Sequence, residues 1–340
     1  MYLSKLPIIK HLLSLYLFIQ DILKSRNNYF HKNHEYSYKI MRKLIKYFGN
    51  FFIFVIGDFL LKKKSFFPEL IENSYVCLDK ISSTKAGLLK DEIGRMTMIE
   101  KNCEKNLVLK KNNLGVDVID LDYYKKKEIV RIDVKQECLA NSGLVSKFVT
   151  DPKWIKNVKK ILGVEPCITG INAWFTFPPP VKINYDDDIG KFQSTMLWHR
   201  DADNLRDIKL MVYLTDVFSE KDGPFQIIEG THKIKNFNFT DYFNKDLLRV
   251  RHDNVTKKYK HKTKSFFGKK GTNYIVDTRA LHRGSLIEDG KHRLIFQIYF
   301  SIHPFGKAKK IPFPKPQTES YEIWNSAITK FPKNYKNLFV

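Results

Sequence analysis

The sequence predicts a mainly β protein, an antiparallel sandwich or jelly roll flanked by helices. Its 340 residues, 43% of them hydrophobic, can bury one large core or two smaller ones, which excludes a disordered polypeptide. After Asp151, short apolar runs alternate with Gly, Pro and Asp turns, a texture typical of several short antiparallel strands. The expected strands are residues 168–177, 192–198, 208–217, 225–228, 272–276 and 294–302.

Composition divides the chain into four parts. Residues 1–64 form a basic, apolar extension, and residues 65–165 are mixed and mainly helical. Residues 166–305 contain the expected strands, interrupted by a Lys-rich insertion at about 237–270. Residues 306–340 form a C-terminal extension.

The extension at residues 1–64 carries 12 basic and 3 acidic residues around two apolar patches. Both patches are shorter than the roughly 18 to 20 apolar residues that span a bilayer, and no small-residue cleavage pattern indicates a signal peptide. Between Ile40 and Phe59, apolar residues recur every three to four positions, which predicts an amphipathic helix. This helix either packs its apolar face on the main domain or makes a peripheral contact with an anionic membrane surface.

The net charge of +23 comes from 59 basic and 36 acidic residues. Such a charge favours a polyanionic partner, but lysine supplies 48 of the 59 bases, whereas a nucleic-acid reader favours arginine for bidentate contacts. We therefore expect no nucleic-acid partner. The four cysteines form no CxxC pair, so we expect neither a zinc knuckle nor a disulfide framework. This cysteine usage fits a reducing compartment best, and we expect the protein to be cytoplasmic.

His199 and Asp201 are the first candidate metal ligands. They follow the apolar run 192–198, and residues two apart on a strand point to the same face, so the imidazole and the carboxylate can reach one metal. Chance alone also allows one His-x-Asp, so a simple strand-end hydrogen bond is the alternative. A third ligand would complete the two-His-one-carboxylate set of non-haem Fe(II). The downstream histidines are His232, His252, His261, His282, His292 and His303.

The choice among these histidines depends on the co-substrate. If the co-substrate is 2-oxoglutarate, its distal carboxylate needs a buried cation, and the planar fork of arginine binds a carboxylate through two hydrogen bonds. Of the downstream histidines, only His282 is followed eleven residues later by an arginine, Arg293, at the head of the run 294–302. A charged residue entering an apolar strand expects a partner. The alternative is that Arg293 caps a strand in solvent and His282 fills a turn.

Six short segments carry a wider pattern: His199-Arg200-Asp201, residues 213–217, 222–225, 229–232 and 277–284, and Arg293. Together, across roughly residues 165–305, they resemble the phytanoyl-CoA dioxygenase family. The resemblance implies a double-stranded β-helix, a cupin-like jelly-roll barrel. It also implies an Fe(II)- and 2-oxoglutarate-dependent dioxygenase using molecular oxygen, with His199, Asp201 and His282 as iron ligands and Arg293 as the clamp for 2-oxoglutarate. His232 matches a turn between barrel strands and is expected to be structural.

The expected co-substrate site departs from the family pattern at one position. Many relatives carry a serine two residues after the distal histidine, but here Gly284 occupies that place and Ser285 follows, so Ser285 is the candidate for a second contact. Gln193 either contacts the co-substrate or pairs with a neighbouring strand. Lys209 and Tyr213, four residues apart, share one face of a strand and are expected to line the barrel or its surface.

Two function classes follow from the sequence. The first is a dioxygenase that hydroxylates a small organic or acyl substrate, because halogenases of this broad fold have a small residue where Asp201 supplies a carboxylate. The second is a catalytically silent jelly roll that binds an anionic partner through the lysines and aromatic residues of 257–270. Lysines at that spacing also protect an exposed edge strand. Metal binding separates the two classes.

Overall fold

The structure, a computed structural model, describes residues 68–100, 108–109, 126, 129–179, 196–201, 208–233, 252–301 and 310–339. The N-terminal extension at residues 1–64, the first part of the Lys-rich insertion and Gln193 lie outside the described residues. Among the helices that are described, none has the length and apolarity needed to cross a membrane.

The described elements are eleven strands, eight α-helices and two short 3₁₀ helices. The strands are β1 (Tyr75–Cys77), β2 (Met98–Glu100), β3 (Val108–Leu109), β4 (Arg131–Val134), β5 (Cys167–Thr176), β6 (Ile208–Tyr213), β7 (Phe225–Ile228), β8 (Thr263–Ser265), β9 (Asn273–Asp277), β10 (His282–Gly284) and β11 (Arg293–Ser301). The helices are α1 (Pro68–Asn73), α2 (Ser83–Gly94), α3 (Gln136–Asn141), α4 (Gly143–Val149), α5 (Pro152–Leu162), α6 (His252–Tyr259), α7 (Glu319–Lys330) and α8 (Pro332–Tyr335), with 3₁₀ turns at Lys260–Lys262 and Lys336–Leu338.

The strands form two antiparallel sheets. The larger sheet has the order β1-β9-β6-β11-β5-β4-β2-β3, and the smaller has the order β10-β7-β8. Tyr213 and Ile295 of the larger sheet pack with Phe225 and Ile227 of the smaller one in a shared buried cluster. Two antiparallel sheets that enclose one core make a jelly roll, so the predicted fold class is confirmed.

Strand β11 lies in the middle of the larger sheet, and its side chains pack into a different buried cluster on each face of that sheet. It pairs with β5 from Arg293↔Thr176 onwards and with β6 on its other side. Because side chains alternate along a strand, Leu294 and Phe296 face the flanking helices, where Phe296 meets Phe148 of α4 at 5.6 Å between ring centroids. Arg293 and Ile295 face the space between the sheets.

Helix α5 shows how local sequence fixes the helical layer. The Asp151 side chain accepts a hydrogen bond from the Lys153 amide at 3.1 Å, and Pro152 occupies the first turn, where a missing N–H costs nothing. The helix ends at Gly163, whose φ of 67° is the left-handed conformation that glycine adopts most readily. Its apolar side, including Trp154, is buried in the same core as the outer face of the larger sheet.

The expected strands agree with the structure to different degrees. β5, β9 and β11 each lie one residue from their expected bounds, and β7 matches fully. The expected strand 208–217 ends at Tyr213. The described residues of the expected strand 192–198, which are 196–198, form no strand. His199, which follows them, makes an isolated bridge to His282.

Both the helical flank and the Lys-rich insertion contribute strands. Within residues 65–165, β1 extends one edge of the larger sheet, and β4, β2 and β3 extend the other. The end of the insertion forms β8, the edge strand of the smaller sheet. These strands have only two to four residues each, so they carry little periodicity for a sequence-based prediction to detect.

Candidate metal centre

His199 and His282 lie side by side on neighbouring chain segments. Their backbones exchange two hydrogen bonds, at 3.0 and 2.9 Å, and their ring centroids are 4.2 Å apart. The Nδ1 atom of His199 lies 2.7 Å from the Leu197 carbonyl, and that of His282 lies 2.9 Å from the Ala280 carbonyl. Because a carbonyl only accepts, each Nδ1 carries the proton, which leaves both Nε2 lone pairs available to a metal.

Asp201 completes a three-residue cluster with the two histidines. Its amide donates to the Thr278 carbonyl at 2.8 Å, which fixes the segment beside the loop that precedes His282. Its Oδ1 lies 3.9 Å from His199 Nε2, and its Oδ2 lies 3.4 Å from His282 Nε2. Bonds of about 2.0 to 2.2 Å allow two ligands on one ion to be at most about 4.4 Å apart, so both separations fit a single metal. Two imidazoles and one carboxylate are the donor set of non-haem Fe(II) sites.

The charge states of the cluster suit a metal. Burial and the neighbouring His282 ring lower the pKa of His199 to about 3, so this imidazole is neutral at physiological pH. Burial alone would raise the pKa of Asp201, but the Lys209 ammonium and the two imidazoles hold it well below its usual range. A neutral imidazole and an ionised carboxylate are the forms that bind a metal ion.

A buried polar framework holds the two ligand-bearing segments together. Arg200 Nη1 donates to the Thr231 carbonyl at 2.5 Å and to the Arg279 carbonyl at 2.6 Å. The Arg279 guanidinium is paired with both Asp277 oxygens, and the Leu281 amide donates to Thr231 Oγ1 at 2.9 Å. These residues belong to the segments that carry the family resemblance, and their contacts give them a structural role.

His232 is held away from the cluster. Its Nδ1 lies 2.5 Å from Ser74 Oγ, which also accepts a hydrogen bond from the Gly230 amide at 3.1 Å. Both side chains are buried. The position of His232 therefore agrees with the expectation that it is structural.

Arg293 is a buried arginine with hydrogen-bond donors that are not paired with any residue that the structure describes. The residue is 3% exposed, and its Nε and Nη1 atoms have no hydrogen-bond partner among the described residues. Burial lowers its pKa, an effect that the nearby Tyr213 and Tyr274 oppose, and arginine remains charged in proteins. A buried guanidinium with unpaired donors needs an anionic partner. A carboxylate of 2-oxoglutarate fits this requirement.

Gly284 and Ser285 have different neighbours. A Cβ atom built on Gly284 would be 2.7 Å from Arg293 Nη2, so the guanidinium lies against this glycine. Both the amide and the hydroxyl of Ser285 donate to the Pro224 carbonyl, at 2.9 and 3.0 Å. The hydroxyl of Ser285 is thus engaged by the turn before β7. The co-substrate contacts expected of Ser285 and Gln193 stay predictions.

Lys209 takes part in the cluster, which the sequence did not predict. Its ammonium donates to Asp201 Oδ2 and lies 4.6 Å from the centroid of the Tyr299 ring. Lys209 is 5% exposed. The sequence placed Lys209 on the barrel lining or its surface but did not predict its contact with Asp201. The one feature that could have indicated a buried partner is the position of this lysine inside an otherwise apolar strand.

The Lys-rich stretch at 257–270 has a mostly structural explanation. The described lysines of this stretch are exposed or half-buried. Phe266 is buried in the barrel core, where it stacks on Tyr274 with ring centroids 4.3 Å apart, so it is not part of a surface for bases or anions. β8 is an edge strand, and exposed lysines protect such an edge from pairing with another chain.

Comparison with models of known protein families finds no match, and comparison with curated proteins finds none either. Among solved structures, HygX from Streptomyces hygroscopicus, with nickel and 2-oxoglutarate bound, has a TM-score of 0.46 at 12% identity, covering 73% of this chain and 85% of that one. The epimerase SnoN, in complex with Fe3+, alpha ketoglutarate and nogalamycin RO, has a TM-score of 0.46 at 11% identity, covering 69% and 81%. EctD from S. alaskensis, with bound Fe, has a TM-score of 0.42 at 16% identity, covering 73% and 78%. Likeness at this level assigns no function to this chain.

Proposed function

We propose that the protein is an Fe(II)- and 2-oxoglutarate-dependent dioxygenase, similar to the phytanoyl-CoA dioxygenase family, that hydroxylates a small organic or acyl substrate. The observation that carries this proposal is one juxtaposition. His199, Asp201 and His282 form a single donor set, and Gly284, two residues beyond His282, leaves room for the buried Arg293 guanidinium.

The protein's contribution is to hold its ligands in the correct form. The Leu197 and Ala280 carbonyls each accept a histidine Nδ1–H, which fixes the rings with Nε2 free for Fe(II). Asp201 supplies the charged third ligand. Fe(II) together with 2-oxoglutarate and molecular oxygen supplies the oxidising power for an unactivated C–H bond, and the co-substrate leaves as succinate and carbon dioxide.

Arg293 gives the site its preference for a dicarboxylic co-substrate. Its planar fork can donate two parallel hydrogen bonds to the carboxylate far from the metal. Because the guanidinium is already buried, it has lost its hydration before the co-substrate arrives, which strengthens the pairing with an anion.

The barrel interior shields His282, the most deeply buried of the three ligands, from water. The Phe225 ring lies 5.6 Å from the His282 ring, between centroids, and belongs to an aromatic cluster with Phe266 and Tyr274. Apolar walls strengthen the electrostatic interactions inside the site. The carboxylate of Asp201 also occupies the place that a halide would need, which favours hydroxylation over halogenation.

The test is a search for an oxygenated product. Purified protein is incubated with Fe(II), 2-oxoglutarate and a metabolite extract, and products heavier by one oxygen are sought by mass spectrometry together with succinate. We expect both to appear with the wild type and neither with His282→Ala. A protein that binds neither Fe(II) nor 2-oxoglutarate would contradict the proposal and favour the catalytically silent jelly roll.

A further inference from the structure

Lys209 is a buried cation placed on one oxygen of a proposed metal ligand. Its ammonium donates to Asp201 Oδ2, and its side chain is 7% exposed. The face of the Tyr299 ring, 4.6 Å away, gives the ammonium a second favourable contact. Burying a lysine is costly unless it is paired, so this contact specifies where the lysine lies.

The two oxygens of Asp201 are therefore not equivalent. Oδ2 accepts a hydrogen bond from Lys209 and lies 3.4 Å from His282 Nε2. Oδ1 lies 3.9 Å from His199 Nε2 and accepts no hydrogen bond from any residue that the structure describes. Lys209 therefore restrains Oδ2, whereas Oδ1 has no protein donor among the described residues and is available to a metal.

We propose that Lys209 is a positioning residue that restricts Asp201 to a one-oxygen contact with the metal and so keeps a coordination position open for the co-substrate. This inference rests on the proposed function. An octahedral ion with three protein ligands keeps three positions. Those positions would be available to 2-oxoglutarate and to molecular oxygen. A carboxylate that bound through both of its oxygens would compete for one of these positions.

The experiment uses the full-length protein loaded with Ni(II), which allows binding to be measured without turnover. Lys209→Met removes the donor but keeps the length and apolar bulk of the side chain. We expect it to retain one equivalent of Ni(II) and to bind 2-oxoglutarate about 10-fold or more weakly, the scale on which residues behind metal ligands act. Lys209→Gln keeps an N–H donor without the charge, and we expect its affinity to lie within about 3-fold of the wild type.

A second readout reports the metal geometry directly. The visible absorption of the Co(II)-loaded protein depends on the coordination number, and without 2-oxoglutarate we expect it to change in Lys209→Met and not in Lys209→Gln. A purely structural role for Lys209 would change stability and leave this spectrum unaltered. If Lys209→Met is insoluble, Lys209→Gln decides: wild-type behaviour supports the inference, and weak 2-oxoglutarate binding overturns it.

The outcomes also separate this inference from the proposed function. A wild-type protein that takes up no Ni(II) or Co(II) contradicts the proposed function. A wild-type protein that binds metal and 2-oxoglutarate, together with a Lys209→Met variant of unchanged affinity and spectrum, overturns only the role of Lys209. Equal losses in Lys209→Met and Lys209→Gln would show that the charge acts alone, which also overturns it.

Discussion

The guanidinium of Arg293 lies against Gly284, so closely that a Cβ atom at residue 284 would be 2.7 Å from Nη2. Real Cβ atoms essentially never come within 3.0 Å of a heavy atom in a residue that is not a chain neighbour, so a side chain at this position would displace the guanidinium. Nη2 is the end of a flexible side chain, so the buried guanidinium would yield within the barrel and leave its present position. Gly284 therefore fixes the position of the proposed co-substrate clamp, two residues beyond the proposed ligand His282.

Gly284→Ala should weaken 2-oxoglutarate binding without removing the metal. The added methyl group pushes the Arg293 fork away from its position, and we expect a loss of about 10-fold in affinity, equivalent to about 1.4 kcal/mol. Titration calorimetry on the Ni(II)-loaded protein measures it. Gly87→Ala is the matched control, because its Cβ atom would make only an ordinary 3.6 Å contact with Lys270 Nζ. An unchanged affinity in Gly284→Ala would show that the clamp lies elsewhere.

Arg293→Ala should raise the 2-oxoglutarate concentration required for binding and leave the metal in place. Removing one partner of a desolvated charge pair costs on the order of 2 to 5 kcal/mol, or roughly 30-fold or more in affinity. Arg293→Lys should recover only part of this loss, because a point charge cannot make two parallel hydrogen bonds. Equilibrium titration of both variants checks the expectation. Wild-type affinity in Arg293→Ala would speak against 2-oxoglutarate as the co-substrate.

The two buried histidines should behave differently when they are replaced. His282→Ala should lose the metal and all turnover, because it removes one of three ligands that act as a unit. His232→Ala should keep one equivalent of metal and lose about 1 to 3 kcal/mol of stability, since the buried Ser74 hydroxyl loses its hydrogen bond to the imidazole. Metal analysis and thermal unfolding measure these effects. Loss of metal from His232→Ala at a temperature where it is folded would mean that the ligand set is wrong.

Asp222 should make stability depend on pH in the acid range. Burial acts to raise its pKa, but Lys291 and hydrogen bonds from Ser219 and Phe218 lower it to about 2, from an ordinary value of 3.8. A lowered pKa in the folded state stabilises the protein above about pH 4, and this stabilisation is lost as the pH falls from about 4 to about 2. The difference corresponds to about 2 kcal/mol.

Asp222→Asn should therefore be less stable than the wild type by about 2 kcal/mol at pH 7, and the gap should close as the pH falls towards 2. Urea unfolding at a series of pH values gives the comparison. Asp91→Asn, at an exposed position on α2, is the control and should follow the wild type. A gap that stays constant with pH would show that the carboxylate charge of Asp222 does not stabilise the fold.

The sequence predicted the elements whose pattern is local. The apolar runs that became β5, β7, β9 and β11 are bounded by turn residues, and each lies within one residue of its expected bounds. The proximity of His199 and Asp201 was predicted from strand alternation. In the structure it has another cause, because the two residues lie outside any named strand: His199 is held by an isolated bridge to His282, and Asp201 by the Thr278 carbonyl.

The rest depended on contacts between distant parts of the chain. The sequence assigned Lys209 to the barrel lining or its surface, but its contact with Asp201 depends on the three-dimensional arrangement of the two residues. Gly284 could be identified as a departure from the family's serine, but not as the surface on which Arg293 rests. Short strands such as β1 and β4 are held by their neighbours in the sheet more than by their own sequence.

The most direct test of the proposed site is the dependence of 2-oxoglutarate binding on the metal. Titration calorimetry compares the metal-free protein, the Ni(II)-loaded protein and the variant Asp201→Ala. We predict that the wild type binds one equivalent of Ni(II) and then one equivalent of 2-oxoglutarate, that the metal-free protein binds 2-oxoglutarate far more weakly, and that Asp201→Ala takes up no Ni(II) at the same concentration. Equal binding of 2-oxoglutarate with and without metal, or full Ni(II) loading of Asp201→Ala, would contradict the assignment of His199, Asp201 and His282 as one metal centre.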